Sequence, residues 1–522
     1  MRFTTARRWL AGVGVAGALV ATATAAGPAT AGAPAGELDV FFADTTIAAG
    51  SAGKIESPVL YSTSGPLTLH ELTIRYDFAD LAGKVKVAEE EEEFGDCTPS
   101  GATALTCTIP YPIDVYEDGL AGVAWVVLAP TEEAEDGDEG DLKVSVSAAG
   151  VDTVTHTAKI RVGEGVDLAA GDELTRSGKP GGKISTPLTV ANDGETTIQG
   201  AVAVFYNDYA FRSTTRFSNC TYADQDLLTC KFDEALAPGG SYSATLPYTI
   251  GADTEAPGGA YGEIVWMTTA EFEDYVAYLA HRGVTDLGKP GTDGELDLTQ
   301  AGGVQAQGRQ ADTDPENNWS SVALEVTGKN GADLSAIGAT LTGEAGDVVT
   351  AKLGLRNEGP ATIDATRGGG SFTNVHVTVP TGTTAVGVPE NCSPRDSDGS
   401  GDWEQFGKTG APAYHCYSES FIKVGDQHAF EFKLRIDNVV PNATGSIEIN
   451  IDCPCEGRHS DLDGSNDEAK ILVNATEEGG GGGGLPVTGA STGIVAAVGL
   501  LLLAAGVFGF VLARRRRTRF VV

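Results

Sequence analysis

A pair of cysteines recurs three times along the chain, and no other feature limits the possible folds as strongly. Each pair follows a run with strand character, and the first two pairs have the same gap of nine residues. A disulfide that closes a loop of this size removes denatured-state entropy worth about 2.5–3 kcal/mol. We therefore expect each pair to form a disulfide across a β-hairpin. The pairs are Cys97 and Cys107, Cys220 and Cys230, and Cys392 and Cys416.

The residues in front of each cysteine pair repeat as well. Gly53–Pro58 reads G-K-I-E-S-P and returns as G-K-I-S-T-P at Gly182–Pro187, with a weaker echo at Gly346–Thr350. Runs of alternating apolar and polar residues come next, which predict half-buried strands in antiparallel sheets. In the second copy the run Ala201–Tyr206 is apolar throughout. The alternating apolar positions are Leu72, Ile74, Tyr76 and Phe78 in the first copy and Val375, Val377 and Val379 in the third.

The repetition divides the chain into three units, at residues 37–164, 166–328 and 331–476. Each unit is rich in strand-like runs and in glycine and aspartate turns, so we predict an all-β fold of three tandem β-sandwiches. The pattern resembles the tandem immunoglobulin-like repeats of bacterial surface proteins, especially those of high-GC actinomycetes. This resemblance implies an immunoglobulin-like topology for each unit.

The second unit carries an insertion at about 268–312. Thr268 and Glu271 have the spacing of a capping box at a helix N-terminus, and Gly283 can end the helix. The residues that share one apolar helical face are Phe272, Tyr275, Val276 and Leu279. Two interpretations stay open. The helix either packs on the edge of its sandwich or forms a binding element displayed on it, since insertions often carry recognition.

The N-terminus has the order of an export signal. Arg2, Arg7 and Arg8 precede the apolar run Leu10–Val20, and small-residue sites of the A-x-A type follow. The apolar run is too short to span a membrane. We therefore predict a cleaved signal peptide at residues 1–31, with a retained N-terminal anchor as the alternative.

The C-terminus combines a motif, an apolar segment and a basic end. A glutamate and glycine linker at 477–484 leads to the motif, which consists of Leu485, Pro486, Val487, Thr488 and Gly489. Residues 494–513 are long and apolar enough to cross a bilayer as one helix, and the arginine-rich end 514–522 would stay cytoplasmic. This order resembles the L-P-x-T-G sorting signal of Gram-positive surface proteins, and the match is complete. An uncleaved tail anchor is the alternative.

The resemblance implies that the chain is a substrate of sortase. The apolar helix would hold the precursor in the membrane, and sortase would cut between Thr488 and Gly489. The Thr488 carbonyl would then be joined to an amine of peptidoglycan. The mature protein would be secreted and anchored in the cell wall, with a structural or adhesive role. No motif identifies the extracellular ligand.

The composition excludes some partners. Asp and Glu number 72 against 35 Lys and Arg, which gives a formal net charge of −37. The predicted processing removes three arginines at the N-terminus and five at the C-terminus but no acidic residue, so the mature chain is still more acidic. Such a surface repels nucleic acid and anionic lipid. No H-E-x-x-H, Walker or dinucleotide motif occurs, so we expect no catalytic residues, no cofactor and no enzyme activity. His70 and His376 are expected on the polar-facing sides of their strands.

Acidic turns in the third unit are the best candidates for a ligand site. Asp461, Asp463, Asp467 and Glu468 supply oxygen donors at alternating spacing, which suits Ca²⁺. The segment does not match the full EF-hand loop, and Asp and Asn are also turn formers. A calcium-dependent adhesin of the same architecture is therefore the second hypothesis. An extracellular enzyme with an unrecognised site in the insertion is the third.

Cys453 and Cys455 are left over when the three repeated pairs are assigned. By analogy between the repeats they pair with each other, although the four cysteines of the third unit allow three pairings and the sequence cannot choose. A redox or metal role together with His459 is the alternative.

Overall fold

The computed structural model describes residues 37–475 except 64, 91–95, 118, 300–308, 365, 367–372, 396–400, 402–404 and 451–460. The predicted signal peptide, Cys453, Cys455, the sorting motif, the membrane segment and the basic end lie outside the described residues. Strands dominate the described part of the chain, which confirms the all-β prediction. No helix in these ranges combines the length and apolar character needed to cross a bilayer.

Unit 1 surrounds a core in which Tyr76, Leu128 and Ile160 are buried. Its main sheet and a three-stranded sheet share this core. The elements are β1 (Leu38–Phe41), β2 (Thr45–Ala48), β3 (Lys54–Glu56), β4 (Val59–Ser62), β5 (Leu67–Leu69), β6 (Leu72–Asp77), a 3₁₀ turn (Ala79–Leu81), β7 (Val85–Glu89), β8 (Asp96–Pro99), β9 (Ala104–Ile109), β10 (Ile113–Val115), β11 (Val126–Pro130), β12 (Glu139–Ala148) and β13 (Val151–Val166). The main sheet has the order β2-β13-β12-β6-β9-β8, and the second has the order β3-β11-β7.

Unit 2 packs a second core between two sheets, with Trp266, Phe232 and Leu188 buried in it. Its elements are β14 (Leu168–Ala170), β15 (Leu174–Gly178), β16 (Lys183–Asn192), β17 (Ile198–Asn207), β18 (Phe211–Arg212), β19 (Cys220–Ala223), β20 (Asp226–Leu236), β21 (Ser241–Ile250), β22 (Ala256–Met267), α1 (Thr269–His281), β23 (Lys289–Pro290), β24 (Gln310–Asp312) and β25 (Trp319–Asn330). The sheets have the orders β14-β16-β21-β18 and β15-β25-β22-β17-β20-β19-β23.

Unit 3 repeats this plan around Phe430, Tyr414 and Leu355. Its strands are β26 (Leu334–Ile337), β27 (Ala339–Leu341), β28 (Val348–Asn357), β29 (Ile363–Asp364), β30 (Asn374–Thr378), β31 (Thr383–Gly387), β32 (Cys392–Pro394), β33 (Ala413–Tyr417), β34 (Phe421–Ile422), β35 (Gln427–Ile436), β36 (Ala443–Ile449) and β37 (Glu468–Val473). The two larger sheets have the orders β26-β28-β35-β31 and β27-β37-β36-β30-β33-β32.

The first segment of each unit is split between two sheets, which in unit 1 are the main sheet and a separate pair of β1 with β4. A short strand pairs antiparallel in one sheet (β1, β14 and β26), and the next strand joins the other sheet beside the last strand of the unit. That second pairing is parallel in all three units, between β2 and β13, β15 and β25, and β27 and β37. The alternating runs β6 and β30 pair antiparallel with both of their neighbours, as predicted, and the parallel pairing at this edge was not part of the prediction. The chain passes from one sheet to the other without reversing its direction, and its second strand therefore lies parallel to the last strand of the unit.

The three predicted hairpin disulfides are present. Cys97 bonds to Cys107, Cys220 to Cys230, and Cys392 to Cys416. In each case the bonded residues lie directly opposite each other on neighbouring strands. The bonds tie β8, β19 and β32, at or next to the end of their sheets, to the strand beside them.

The predicted apolar positions inside β6 and β30 are buried, whereas Phe78 and Val379, which follow these strands, are half-buried. Val375 and Val377 of β30 are buried, but His376 between them is buried as well, with 6% exposure. The expectation of a solvent-facing His376 is therefore wrong. His376 lies opposite His415 on β33, and the two rings approach to 3.2 Å between Nε2 and Nδ1. Cross-strand neighbours on one face cover each other, which a single strand's pattern does not reveal.

Candidate functional site at the joint of the first two units

The insertion begins with the helix that its sequence predicts. Thr268 caps α1 and accepts a hydrogen bond from the Glu271 backbone N–H, while the Glu271 carboxylate accepts one from the Thr268 backbone N–H. This is a complete capping box. The helix ends before Gly283, which has a φ of +76°. Within the described residues of the predicted 268–312 insertion, the helix covers Thr269–His281, and the short strands β23 and β24 follow it.

The helix covers the outer face of its own sheet. Phe272 and Tyr275 pack against a cluster formed by Val202, Val204 and Met267 of β17 and β22. The hydroxyls of Tyr275 and Tyr206 are 2.9 Å apart. This cover explains why the run Ala201–Tyr206 is apolar throughout, since a strand buried on both faces does not alternate.

The same insertion extends into unit 1 through strand pairing. Strand β13 carries the chain from unit 1 to unit 2, and β2 of unit 1 lies parallel to it along Ile160–Gly163. Along Glu164–Val166 its parallel neighbour is β24 of unit 2. The approach is close, because a Cβ at Gly165 would lie 2.6 Å from the Ala49 carbonyl oxygen. The two units therefore share one strand.

Charged side chains join α1 to unit 1. Lys54 Nζ lies 2.6 Å from Glu271 Oε1, so Glu271 serves both the capping box and the joint. Asp274 Oδ2 accepts a hydrogen bond of 2.6 Å from Thr46 Oγ1, and its Oδ1 lies 3.3 Å from Arg161. Thr46 of β2 and Arg161 of β13 face each other as a register pair. Asp274 thus binds both members of the pair.

Aromatic rings form the other half of the joint. The Phe41 ring of unit 1 stacks on His281 of α1, with centroids 3.6 Å apart and planes 11° apart. His156 lies edge-on to Phe41 at 4.8 Å, and Tyr61 lies edge-on to His281 at 5.7 Å. Burial and the neighbouring His156 lower the pKa of His281. A neutral His281 ring stacks on Phe41 without the cost of desolvating a charge.

Burial sets the protonation of the acidic groups in the joint. It raises the pKa of Glu56 to about 7, against the opposing effect of Lys54. It also raises the pKa of Asp312 to about 7, and the nearby Glu271 carboxylate adds to this. Burial acts on Glu271 in the same sense, but Lys54 and the hydrogen bonds to Glu271 outweigh it and lower its pKa. The joint therefore holds charged pairs, among them Lys54 with Glu271 and Arg161 with Asp274, beside carboxyls that are protonated in mild acid.

The calcium candidates form a hydrogen-bonded turn. Asp461 accepts bonds from the backbone N–H groups of Leu334 and Asp463, at 2.8 and 2.9 Å, and Asp463 accepts bonds from Ser465. Among the residues that the structure describes, no three His, Cys, Asp or Glu side chains are grouped so as to hold a metal ion. The other two candidates, Asp467 and Glu468, lie at the start of β37, where Asp467 accepts a hydrogen bond from Asn450.

The position of α1 differs from both interpretations of the insertion. The helix lies neither on a sandwich edge alone nor as a free display element, because it contacts both units. The capping box and the apolar run of β17 indicated the helix and its covered sheet. Thr46, Arg161 and Phe41 carried no such signal, because each is an ordinary strand residue until the second unit meets it.

The comparisons with known proteins add only distant likenesses. No protein-family model and no curated protein matches the sequence. CaCohA2 of Clostridium acetobutylicum is 14% identical, over 24% of this chain and 92% of that one, with a TM-score of 0.18. An I-band fragment of titin is 9% identical over 84% of this chain and 98% of that one, with a TM-score of 0.16. A Corynebacterium diphtheriae protein described as membrane anchored is 11% identical, with coverages of 83% and 91% and a TM-score of 0.16. Likenesses this weak carry no argument about function.

Proposed function

We propose that this chain is a structural or adhesive surface protein, that its three units are immunoglobulin-like sandwiches, and that sortase anchors it in the Gram-positive cell wall. The proposed cell-wall location rests on the sequence, in which the L-P-V-T-G motif, an apolar segment and a basic end stand in that order. Disulfides in all three units support export, since such bonds persist in oxidising compartments.

The joint between units 1 and 2 is the observation that carries the structural role. Charged side chains buried at this joint bind other groups of the protein, as Lys54 binds Glu271 and Asp274 binds Thr46 and Arg161. Buried charge in an enzyme site is instead directed at a space where a substrate can lie. The insertion therefore fixes two units to each other, which suits a scaffold held away from the cell surface.

Cell fractionation tests the proposed anchoring. Thr488→Ala should move the protein from the wall to the membrane fraction, because the L-P-x-T-G motif that sortase recognises is then lost. Removal of residues 489–522 should release the protein into the medium. Thr492→Ala, a change of the same residue type beyond the cleavage point, should leave the protein in the wall. Wall attachment of the Thr488→Ala protein would overturn the proposal.

A further inference from the structure

The path of the chain through each unit suggests a mechanical property. The strand near the start of a unit runs parallel to the strand that leaves it, so the entry and the exit lie at opposite ends of one strand pair. The paired ranges are Thr45–Ala48 with Ile160–Gly163, Leu174–Gly178 with Val322–Val326, and Ala339–Leu341 with Ile471–Val473.

Tension between the two ends of the chain pulls the strands of such a pair in opposite directions along their length. All their hydrogen bonds then carry force together, whereas a hairpin pulled open at its end loses its bonds one at a time. Forced unfolding follows the height of the unfolding barrier, and breaking several bonds at once raises that barrier. We propose that this chain transmits tension, with each unit resisting through its parallel strand pair and with units 1 and 2 joined without a hinge.

The joint between units 1 and 2 has contacts that oppose such sliding of the strands. Strand β13 meets no break between its partner in unit 1 and its partner in unit 2, because Glu164–Val166 pairs with Gln310–Asp312 directly after Gly163. Asp274 then binds both Thr46 and Arg161, one residue from each strand of the unit 1 pair. Sliding these strands past each other must break the contacts to Asp274 as well.

The second joint includes a short backbone contact and several side chains near one end of unit 3. The Thr362 backbone N–H donates to the Asp253 carbonyl oxygen at 2.7 Å, and the Thr362 hydroxyl donates to the Asp253 carboxylate at 2.6 Å. The Tyr209 ring packs edge-on against Phe421 at 5.1 Å. The parallel pair of unit 3 is also the shortest, with three paired residues against four in unit 1 and five in unit 2. Unit 3 should therefore yield first.

Single-molecule pulling on the mature chain, residues 32–488 tethered at both ends, tests the proposal. We expect stepwise extension in which unit 3 unfolds at the lowest force. Reducing the disulfides identifies the unit 3 step. The two cysteines of unit 3 are 24 residues apart in the sequence, whereas those of units 1 and 2 are 10 residues apart. Opening the disulfide lengthens the unit 3 step by about 80 Å, and it lengthens the steps of units 1 and 2 by about 35 Å each. A unit 3 step at a force equal to or above the others would overturn the shear model.

Two neighbouring residues of α1 provide a matched pair for the joint. Asp274→Ala removes the bridge between the strands of unit 1 and should lower the force of the unit 1 step, which is the shorter of the two steps that lengthen by about 35 Å on reduction. Glu273→Ala removes an exposed carboxylate whose nearest partner, Arg309, is 3.4 Å away, and should change nothing. Asp274→Asn, which keeps the size of the side chain, serves if the alanine variant folds poorly.

Equal forces in the Asp274 and Glu273 variants would overturn the role of the joint. The inference rests on the proposed wall anchoring in one respect, because the anchor would be the point against which tension acts on the chain at the cell surface. The pulling experiment needs no anchor, so its failure and a failure of the fractionation test are distinguishable.

Discussion

At the scale of single residues, the joint between units 1 and 2 contains a buried ion pair, Lys54 with Glu271. Breaking a buried pair by removing one partner leaves an uncompensated charge and typically costs about 3–5 kcal/mol. Lys54 and Glu271 avoid this cost because each is the other's nearest charged partner, at 2.6 Å. Glu56 lies in the same cluster, and one lysine cannot neutralise two buried carboxylates. The raised pKa of Glu56 is the consequence.

Glu56→Gln should make stability less dependent on pH. The pKa of Glu56 rises from an ordinary 4.5 to about 7 on folding, so the folded state holds this proton more tightly than the unfolded state. Its contribution is therefore present in full below about pH 4.5 and is lost as the pH rises through 7. Glutamine cannot titrate, yet it keeps an acceptor for Thr45 Oγ1.

Thermal unfolding of both proteins between pH 5 and 8 measures this effect. Relative to the variant, the wild-type protein should lose at most about 3 kcal/mol over that range. Asp312 and His281 titrate in both proteins, so their effects cancel in the comparison. Parallel pH curves would show that Glu56 is not the group responsible.

The sequence predicts some of these residues and not others, for a physical reason. The capping box of Thr268 and Glu271 is local, since both residues lie within one turn of helix, and it is found where predicted. Lys54 lies far from its partner Glu271 in the sequence, and Asp274 lies far from its partners Thr46 and Arg161. Only the tertiary fold brings these residues together. Lys54 belongs to the repeated segment Gly53–Pro58, and nothing in that repeat indicates that its side chain contacts a helix.

At the scale of elements, strand β13 has more than one function. Its first part closes the sheet of unit 1, and its last residues form the link to unit 2. Its glycines permit this, because Gly163 and Gly165 face backbone atoms of Arg309 and Ala49 at distances that leave little room for a Cβ. Hairpins and disulfides could be predicted from short spacings. This shared strand could not, because its partner β24 follows nearly 150 residues later.

Gly165→Ala should loosen the joint while leaving the sandwiches folded. The added Cβ would lie 2.6 Å from the Ala49 carbonyl oxygen, and backbone cannot yield as a flexible side chain would. We expect faster hydrogen exchange of the Glu164 amide, which donates to the Arg309 carbonyl oxygen. Overpacking of this kind typically costs about 1–3 kcal/mol.

Gly259→Ala is the matched control for this change. Gly259 also lies in a strand, β22, but a Cβ added there would meet no heavy atom within 4 Å beyond its chain neighbours. Exchange at Glu164 should stay as in the wild-type protein. If both variants exchange at the wild-type rate, the contact between Gly165 and unit 1 does not hold the joint.

At the scale of the whole molecule, three hydrophobic cores do not imply three independent units. The cores are separate, within Leu38–Val162, Val166–Val326 and Ala332–Ile471. Units 1 and 2 nevertheless share a strand, an ion pair and a ring stack, whereas a short backbone contact and side chains around Asp253 and Thr362 join unit 3. Cooperativity in unfolding follows such shared contacts and not the number of cores.

Calorimetry of the mature chain should accordingly show two unfolding transitions, one for units 1 and 2 together and one for unit 3. Replacing Cys392 and Cys416 by serine identifies the second, because loss of a 24-residue closure costs unit 3 about 3.5 kcal/mol and leaves the other transition in place. Asp274→Ala should split the first transition in two, since unit 1 then loses the bridge from Thr46 and Arg161 to α1. Three resolved transitions in the wild-type protein would mean that the joint aligns units 1 and 2 without coupling their stability.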